Sequence, residues 1–177
     1  MKNLNRITLG GGCFWCLEAI FNKLNGVELV RSGYSGGLLE NPTWAQVCGG
    51  ETDHAEVCEI RFDTSLITLN TLLDIFWESH DPTTLNRQGY DVGSQYRSVI
   101  FCENEHQLKS CLELKELAGS NFKNLIVTEV KLRRNFYFAG AYHDSYFELN
   151  KNLPYCQFVI SPKLAKLRAQ FSKHLKK

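Results

Sequence analysis

Cys13 follows three glycines, Gly10-Gly11-Gly12, and precedes Phe14-Trp15, where an apolar pattern with helical spacing begins. At a glycine turn entering a helix, unpaired backbone N–H groups and the positive end of the helix dipole surround the side chain. A thiolate is stabilised there, so the expectation is a reactive sulfur with a pKa below the free value of about 8.5. The bland alternative is a small buried hydrophobe in a strand–helix turn. Cys16 completes a Cys-x-x-Cys spacing, the mark of a redox pair or half a zinc site. A zinc site needs about two more ligands. No second Cys-x-x-Cys exists, and the histidines at 54, 80, 106, 143 and 174 are scattered. His54-Ala55-Glu56 matches half of the zinc deaminase signature, but the downstream Pro-Cys-x-x-Cys is missing. The glycine run fits no phosphate loop, and a cysteine phosphatase would want arginine where Ala19 stands.

Glu56 is the second chemical residue. On a strand it shares a face with Cys58, Ile60 and Phe62. A carboxyl group at the end of an apolar row loses water, its pKa rises, and it becomes a general acid near neutrality. A strand-end glutamate that simply reaches solvent is the alternative. Residues 87–97 concentrate hydrogen-bonding groups between Gly89 and Gly93, with Tyr96 entering a strand and placed to present its phenol to a cleft.

Elements must hold these groups together. Ile7–Leu9 reads as a strand running into the glycines, and a helix carrying Phe14, Leu17, Phe21 and Leu24 stops at Gly26. Strands are expected over 27–34, 54–63, 97–102 and 125–132, and helices from Leu69 to before Asp81-Pro82 and over 105–117. Residues 38–53 read as a polar loop, 83–96 as a functional loop, and 136–154 as irregular with a short helix near 145–151. Strands and helices intersperse without regular βαβ alternation, so the class is α+β. No repeat or long linker divides the chain, so 1–177 is expected to be a single catalytic domain.

The chain has 177 residues, 44% hydrophobic and 12% aromatic, enough for a real core and far from disorder. Seven cysteines, an odd number, preclude complete pairing within the chain and fit a reducing compartment. The N-terminus lacks the roughly 7–15-residue apolar stretch of a secretory signal, and no run approaches the roughly 18 apolar residues of a membrane helix. The cytosol is the expected address. Residues 161–177 carry six basic side chains and no acidic one, leaving residues 1–160 with 14 basic against 19 acidic, net −5. Ser161-Pro162 reads as a helix start, and Leu164, Leu167, Phe171 and Leu175 as an apolar stripe. The tail is therefore read as a docked basic amphipathic helix, with neither nucleic acid nor membrane as partner.

Taken together, Gly12-Cys13-Phe14-Trp15, Gly33-Tyr34-Ser35-Gly36-Gly37, Asn41-Pro42-Thr43, Gln46-Val47-Cys48, His54-Ala55-Glu56, His80-Asp81-Pro82-Thr83, Asp91-Val92-Gly93-Ser94-Gln95-Tyr96-Arg97-Ser98, Ile126-Val127-Thr128-Glu129 and Tyr155-Cys156 resemble peptide methionine sulfoxide reductase A, in the family's order from about residue 7 to residue 160. The resemblance implies a central mixed sheet flanked by helices with long irregular connections. It implies reduction of the S epimer of methionine sulfoxide, free or in oxidised proteins and peptides, with thioredoxin or dithiothreitol as external reductant and no bound cofactor. Cys13 would attack the sulfoxide sulfur and end as a sulfenic acid. Glu56 would protonate the oxygen, Tyr96 would hydrogen-bond it, Asp91 would organise the site, and Phe14 and Trp15 would wall the S-methyl group. Cys156 matches the resolving cysteine, forming a disulfide that thioredoxin exchanges. A monomer is expected. Two residues depart from the pattern: Trp44 stands where tyrosine is common, and Cys16, where glycine is common, offers an alternative resolving thiol. Cys58, Cys102 and Cys111 read as packing residues and Cys48 as a loop thiol. A general Cys-x-x-Cys disulfide oxidoreductase and a zinc-binding module are the rival readings.

Overall fold

In the computed structural model, which describes residues 3–177, the chain forms eight strands and six α-helices. The strands are β1 (Leu4–Gly10), β2 (Val27–Ser35), β3 (Ala55–Asp63), β4 (Arg87–Gln88), β5 (Asp91–Val92), β6 (Val99–Cys102), β7 (Glu129–Leu132) and β8 (Tyr137–Phe138). The helices are α1 (Phe14–Phe21), α2 (Trp44–Cys48), α3 (Leu69–Ser79), α4 (Glu105–Gly119), α5 (Tyr146–Leu149) and α6 (Ser161–Phe171). Six strands make a mixed sheet in the order β7-β6-β1-β3-β2-β8, while β4 and β5 pair as a separate hairpin. Only β6 and β7 run parallel, as the intervening α4 requires. The expected α+β class with a mixed sheet is what the chain adopts.

The period-2 reading of β3 holds. Cys58, Ile60 and Phe62 face a core shared with α1, α3 and α6. Ala55 and Val57 face the other way, onto Val99, Phe101 and Phe136. Beyond them Glu59 pairs with Arg133 at 2.6 Å and Arg6 at 3.4 Å. At the rim of the sheet Cys102 and Cys111 pack β6 against α4, both fully buried.

Several boundaries differ from the sequence reading. Residues 38–53 contain α2, whose Thr43 and Gln46 form a reciprocal capping box. Tyr96 closes a 3₁₀ turn, Ser94–Tyr96, rather than entering a strand. Residues 125–128 run outside the sheet, because the Val127 N–H bonds the Pro82 carbonyl at 2.8 Å. Ser161 does not cap α6, which continues from a π-helical turn at Cys156–Ile160; its hydroxyl donates back to the Cys156 carbonyl at 3.0 Å. The basic helix is docked as expected. Leu164 and Leu167 are buried, and Leu175 bridges to Leu24.

Candidate active site

The glycine turn is shaped by its neighbours. Gly12 has φ +89°, and a β-carbon there would stand 3.0 Å from the Gln88 side chain. A β-carbon on Gly11 would meet the His80 ring at 3.0 Å. His80 is buried, and its Nδ1 lies 2.7 Å from the Phe76 carbonyl, which can only accept; Nδ1 therefore carries the proton. Burial pushes the His80 pKa down to about 4, so Nε2 stays bare and accepts from the Ser98 hydroxyl at 2.7 Å. The Gly12 N–H bonds the Tyr96 carbonyl at 3.2 Å, tying the turn to the 3₁₀ segment.

Cys13 is the N-cap of α1, and Phe14 is its first residue. From β3, Glu56 reaches across so that its Oε2 accepts the Phe14 N–H at 3.1 Å. Glu56 is 2% exposed. Burial first, and the Asp91 charge second among the raising causes, lift its pKa to about 7; the Phe14 N–H, the Cys13 thiol and the Trp44 indole pull in the other direction.

The Cys13 thiol corrects one expectation. Its pKa is raised, not lowered: burial dominates, and the Glu56 charge adds to it, whereas the Trp15 N–H and the Tyr155 hydroxyl offset only part. The helix start is real, but the site is dry and its nearest ionisable neighbour is acidic. Cys13 is therefore held as a thiol beside a carboxyl group until something changes the balance.

An aromatic wall surrounds this pair. Trp15 stacks flat on Tyr146, with centroids 3.6 Å apart and planes at 2°, and its indole N–H donates to His143 Nδ1 at 3.1 Å. The His143 ring lies 5.0 Å from Phe14 and 5.9 Å from Trp44. Glu18 fixes Tyr146 by accepting the Ser145 and Tyr146 N–H groups at 2.7 and 3.3 Å. Phe14 is fully buried, whereas Trp44, the first residue of α2, is 47% exposed and brings its indole N–H toward Glu56. Burial and the Glu56 charge push the Tyr96 phenol well up, so it stays protonated as a donor. Asp91 accepts the Tyr155 hydroxyl at 2.9 Å.

The structure thus brings Cys13, Cys16, Glu56, Tyr96, Asp91, Phe14, Trp15 and Trp44 into one region. Cys156, next in sequence to Tyr155, is fully buried at the start of the π-helical turn, and burial raises the pKa of its thiol. Sequence reasoning missed His143, Tyr146 and Tyr155, which lie in or next to a stretch without periodicity. It also missed Tyr34, a buried phenol 5.8 Å from Phe14 and within electrostatic reach of Glu56, Cys48 and Cys13. Cys48 ends α2 beside this group, not in a free loop. A cleft of about 580 Å³ opens on Cys13, edged by His80, Gln88, Asp91, Tyr155 and Lys163. Among the described residues no three His, Cys, Asp or Glu side chains cluster as metal ligands, and no helix is long and apolar enough to cross a membrane.

A paired thiol and carboxyl group, with aromatic walls and protonated donors, suits transfer of an oxygen atom from a polarised S–O bond to sulfur. The family model for peptide methionine sulfoxide reductase matches residues 5–175. A peptide methionine sulfoxide reductase of Trichodesmium erythraeum is 49% identical over 170 residues, 95% of this chain and 96% of that one. The reduced form of Mxr1 from Saccharomyces cerevisiae superposes with a TM-score of 0.80 at 34% identity, covering 87% of this chain and 90% of that one. Mxr1 in complex with Trx2 matches with a TM-score of 0.56 at 28% identity over 77% of this chain and 81% of that one.

Proposed function

The chain belongs to the peptide methionine sulfoxide reductase family, and from that premise we propose how its residues divide the reaction. The enzyme reduces methionine sulfoxide at the expense of thiols. The S epimer is the substrate, with its S-methyl group against Phe14, Trp15 and Tyr146 and its oxygen facing Glu56, Tyr96 and Trp44.

The Glu56–Cys13 pair carries this reading: a carboxyl group of pKa about 7, held by the amide that follows Cys13, beside a desolvated thiol. The pair titrates as a unit. Holding one proton, it exists as thiol plus carboxylate or as thiolate plus carboxylic acid. The second form is reactive. The Cys13 thiolate attacks the sulfoxide sulfur while Glu56 gives its proton to the oxygen, and donation from Tyr96 and Trp44 stabilises the charge growing there. The S–O bond and the new sulfur–sulfur bond then break, the hydroxyl passes to the Cys13 sulfur as a sulfenic acid, and methionine leaves with the electron pair of the sulfur–sulfur bond. Cys13 is oxidised by two electrons and the sulfoxide is reduced by two. Asp91 keeps Glu56 basic enough to hold its proton and anchors Tyr155. The resemblance assigns the next step, disulfide formation, to Cys156, followed by exchange with thioredoxin.

Reduction of the two sulfoxide epimers with dithiothreitol tests the assignment. Wild type should consume the S epimer and spare the R epimer, and Cys13→Ser should consume neither. Equal use of both epimers would remove the shaped pocket from the account.

A further inference from the structure

Cys16 is the third residue of α1 counted from Phe14, and its N–H bonds the carbonyl of Cys13, the N-cap, at 3.1 Å. An N-cap side chain and the third helical side chain face each other, the relation a capping box exploits. A turn closed by an i→i+3 hydrogen bond can meet the α-carbon separation of about 4.4–6.8 Å that a disulfide needs. The Tyr155 phenol spends its only proton on Asp91, so its oxygen accepts from the Cys16 thiol, 3.8 Å away. Tyr155 also edges the cleft that opens on Cys13, so it stands beside both cysteines. Burial raises the Cys16 pKa, and Lys163 of α6, on the edge of the same cleft, is the charge that draws it back toward the thiolate. Cys156 has none of these relations. Its side chain is fully buried in the π-helical turn at Cys156–Ile160, whereas Cys16 shares the first turn of α1 with Cys13.

We propose that Cys16 resolves the oxidised Cys13, closing a 13–16 disulfide within the first turn of α1. The inference rests on Cys13 becoming a sulfenic acid, as set out above. The Cys16 sulfur attacks the Cys13 sulfur, the S–O bond breaks, and the hydroxyl leaves as water with the Cys16 proton. Two thiols are thereby oxidised for each sulfoxide reduced. Lys163 is a positioning residue that stabilises the attacking thiolate.

One equivalent of methionine sulfoxide is added to reduced wild type, the mixture is acid-quenched at short times, and free thiols are alkylated before trypsin digestion. Cys13 and Cys16 share the peptide 7–23, and Cys156 lies in 152–163. The expected product is peptide 7–23 lighter by two hydrogens, in wild type and in Cys156→Ser alike. Cys16→Ser should release one equivalent of methionine and leave a sulfenic acid that dimedone traps. Lys163→Met should slow disulfide closure about tenfold near neutral pH, and the defect should shrink as rising pH forms the thiolate without the lysine. Peptide 7–23 joined to 152–163 at the earliest time would overturn the proposal. Absence of methionine would instead defeat the reductase reading itself.

Discussion

Glu56→Gln should move two properties of the active site in opposite directions. In wild type the Cys13 thiol is raised by burial and by the Glu56 charge. The amide keeps the shape and removes the charge. Two unit charges about 4 Å apart at an effective dielectric of about 20 repel by about 4 kcal/mol, which bounds the relief at about 3 pKa units. Burial persists, so the thiol stays above its ordinary range while the thiolate present at pH 8 rises about 10- to 100-fold. Alkylation of Cys13 by a small methanethiosulfonate, followed by mass spectrometry of peptide 7–23, should accelerate accordingly. The variant cannot protonate the sulfoxide oxygen, so single-turnover methionine formation should fall by about 10²–10⁴. A sulfur that becomes more nucleophilic in an enzyme that becomes slower separates acid catalysis from thiol activation. Slower alkylation, or undiminished turnover, would refute the pairing of these two residues.

Other perturbations test the surrounding parts. In the folded protein Glu56 titrates near pH 7 against an ordinary 4.5, so the native state binds the extra proton between these values. Its stability contribution is complete below about pH 4.5 and disappears as pH rises through about 7, a loss of about 3 kcal/mol that Glu56→Gln should abolish in urea titrations at pH 5 and pH 8. The single-turnover rate should rise through about pH 7, since one proton must leave the pair before thiolate and acid coexist; a rate falling over that range would contradict the scheme. Trp44→Tyr keeps a donor near Glu56 and should preserve or raise kcat, whereas a large loss would show that the indole itself is needed. Tyr146→Ala removes the face on which Trp15 stacks and should raise KM for the sulfoxide several-fold with a smaller change in kcat. Gly12→Ala imposes a β-carbon at φ +89° against Gln88 and should cost about 1–3 kcal/mol by thermal or chemical denaturation.

Much of the site is legible in the chain because its two chief residues obey local rules. Period-2 alternation alone places Glu56 on the Cys58–Ile60–Phe62 face, and that face meets α1. Three consecutive glycines announce a turn too tight for side chains, and the His80 ring beneath Gly11 explains the crowding. The direction of the Cys13 shift is not legible, since the helix dipole is local whereas desolvation depends on α5, α6 and β3 closing over the sulfur. The aromatic wall is hidden for a related reason: His143 and Tyr146 sit in an irregular segment, held by Glu18 more than a hundred residues earlier. The capping pair Thr43 and Gln46 carried a readable signal for α2 that the polar composition of 38–53 masked.

The oxygen-accepting role of Cys13 is tested most directly by counting methionine released in one turnover with no reductant present. Wild type at saturating S epimer should yield at least one methionine per protein molecule, in step with the loss of the Cys13 thiol, and Cys13→Ser should yield none. Methionine formed by Cys13→Ser, or a Cys13 thiol still intact after methionine appears, would contradict the account.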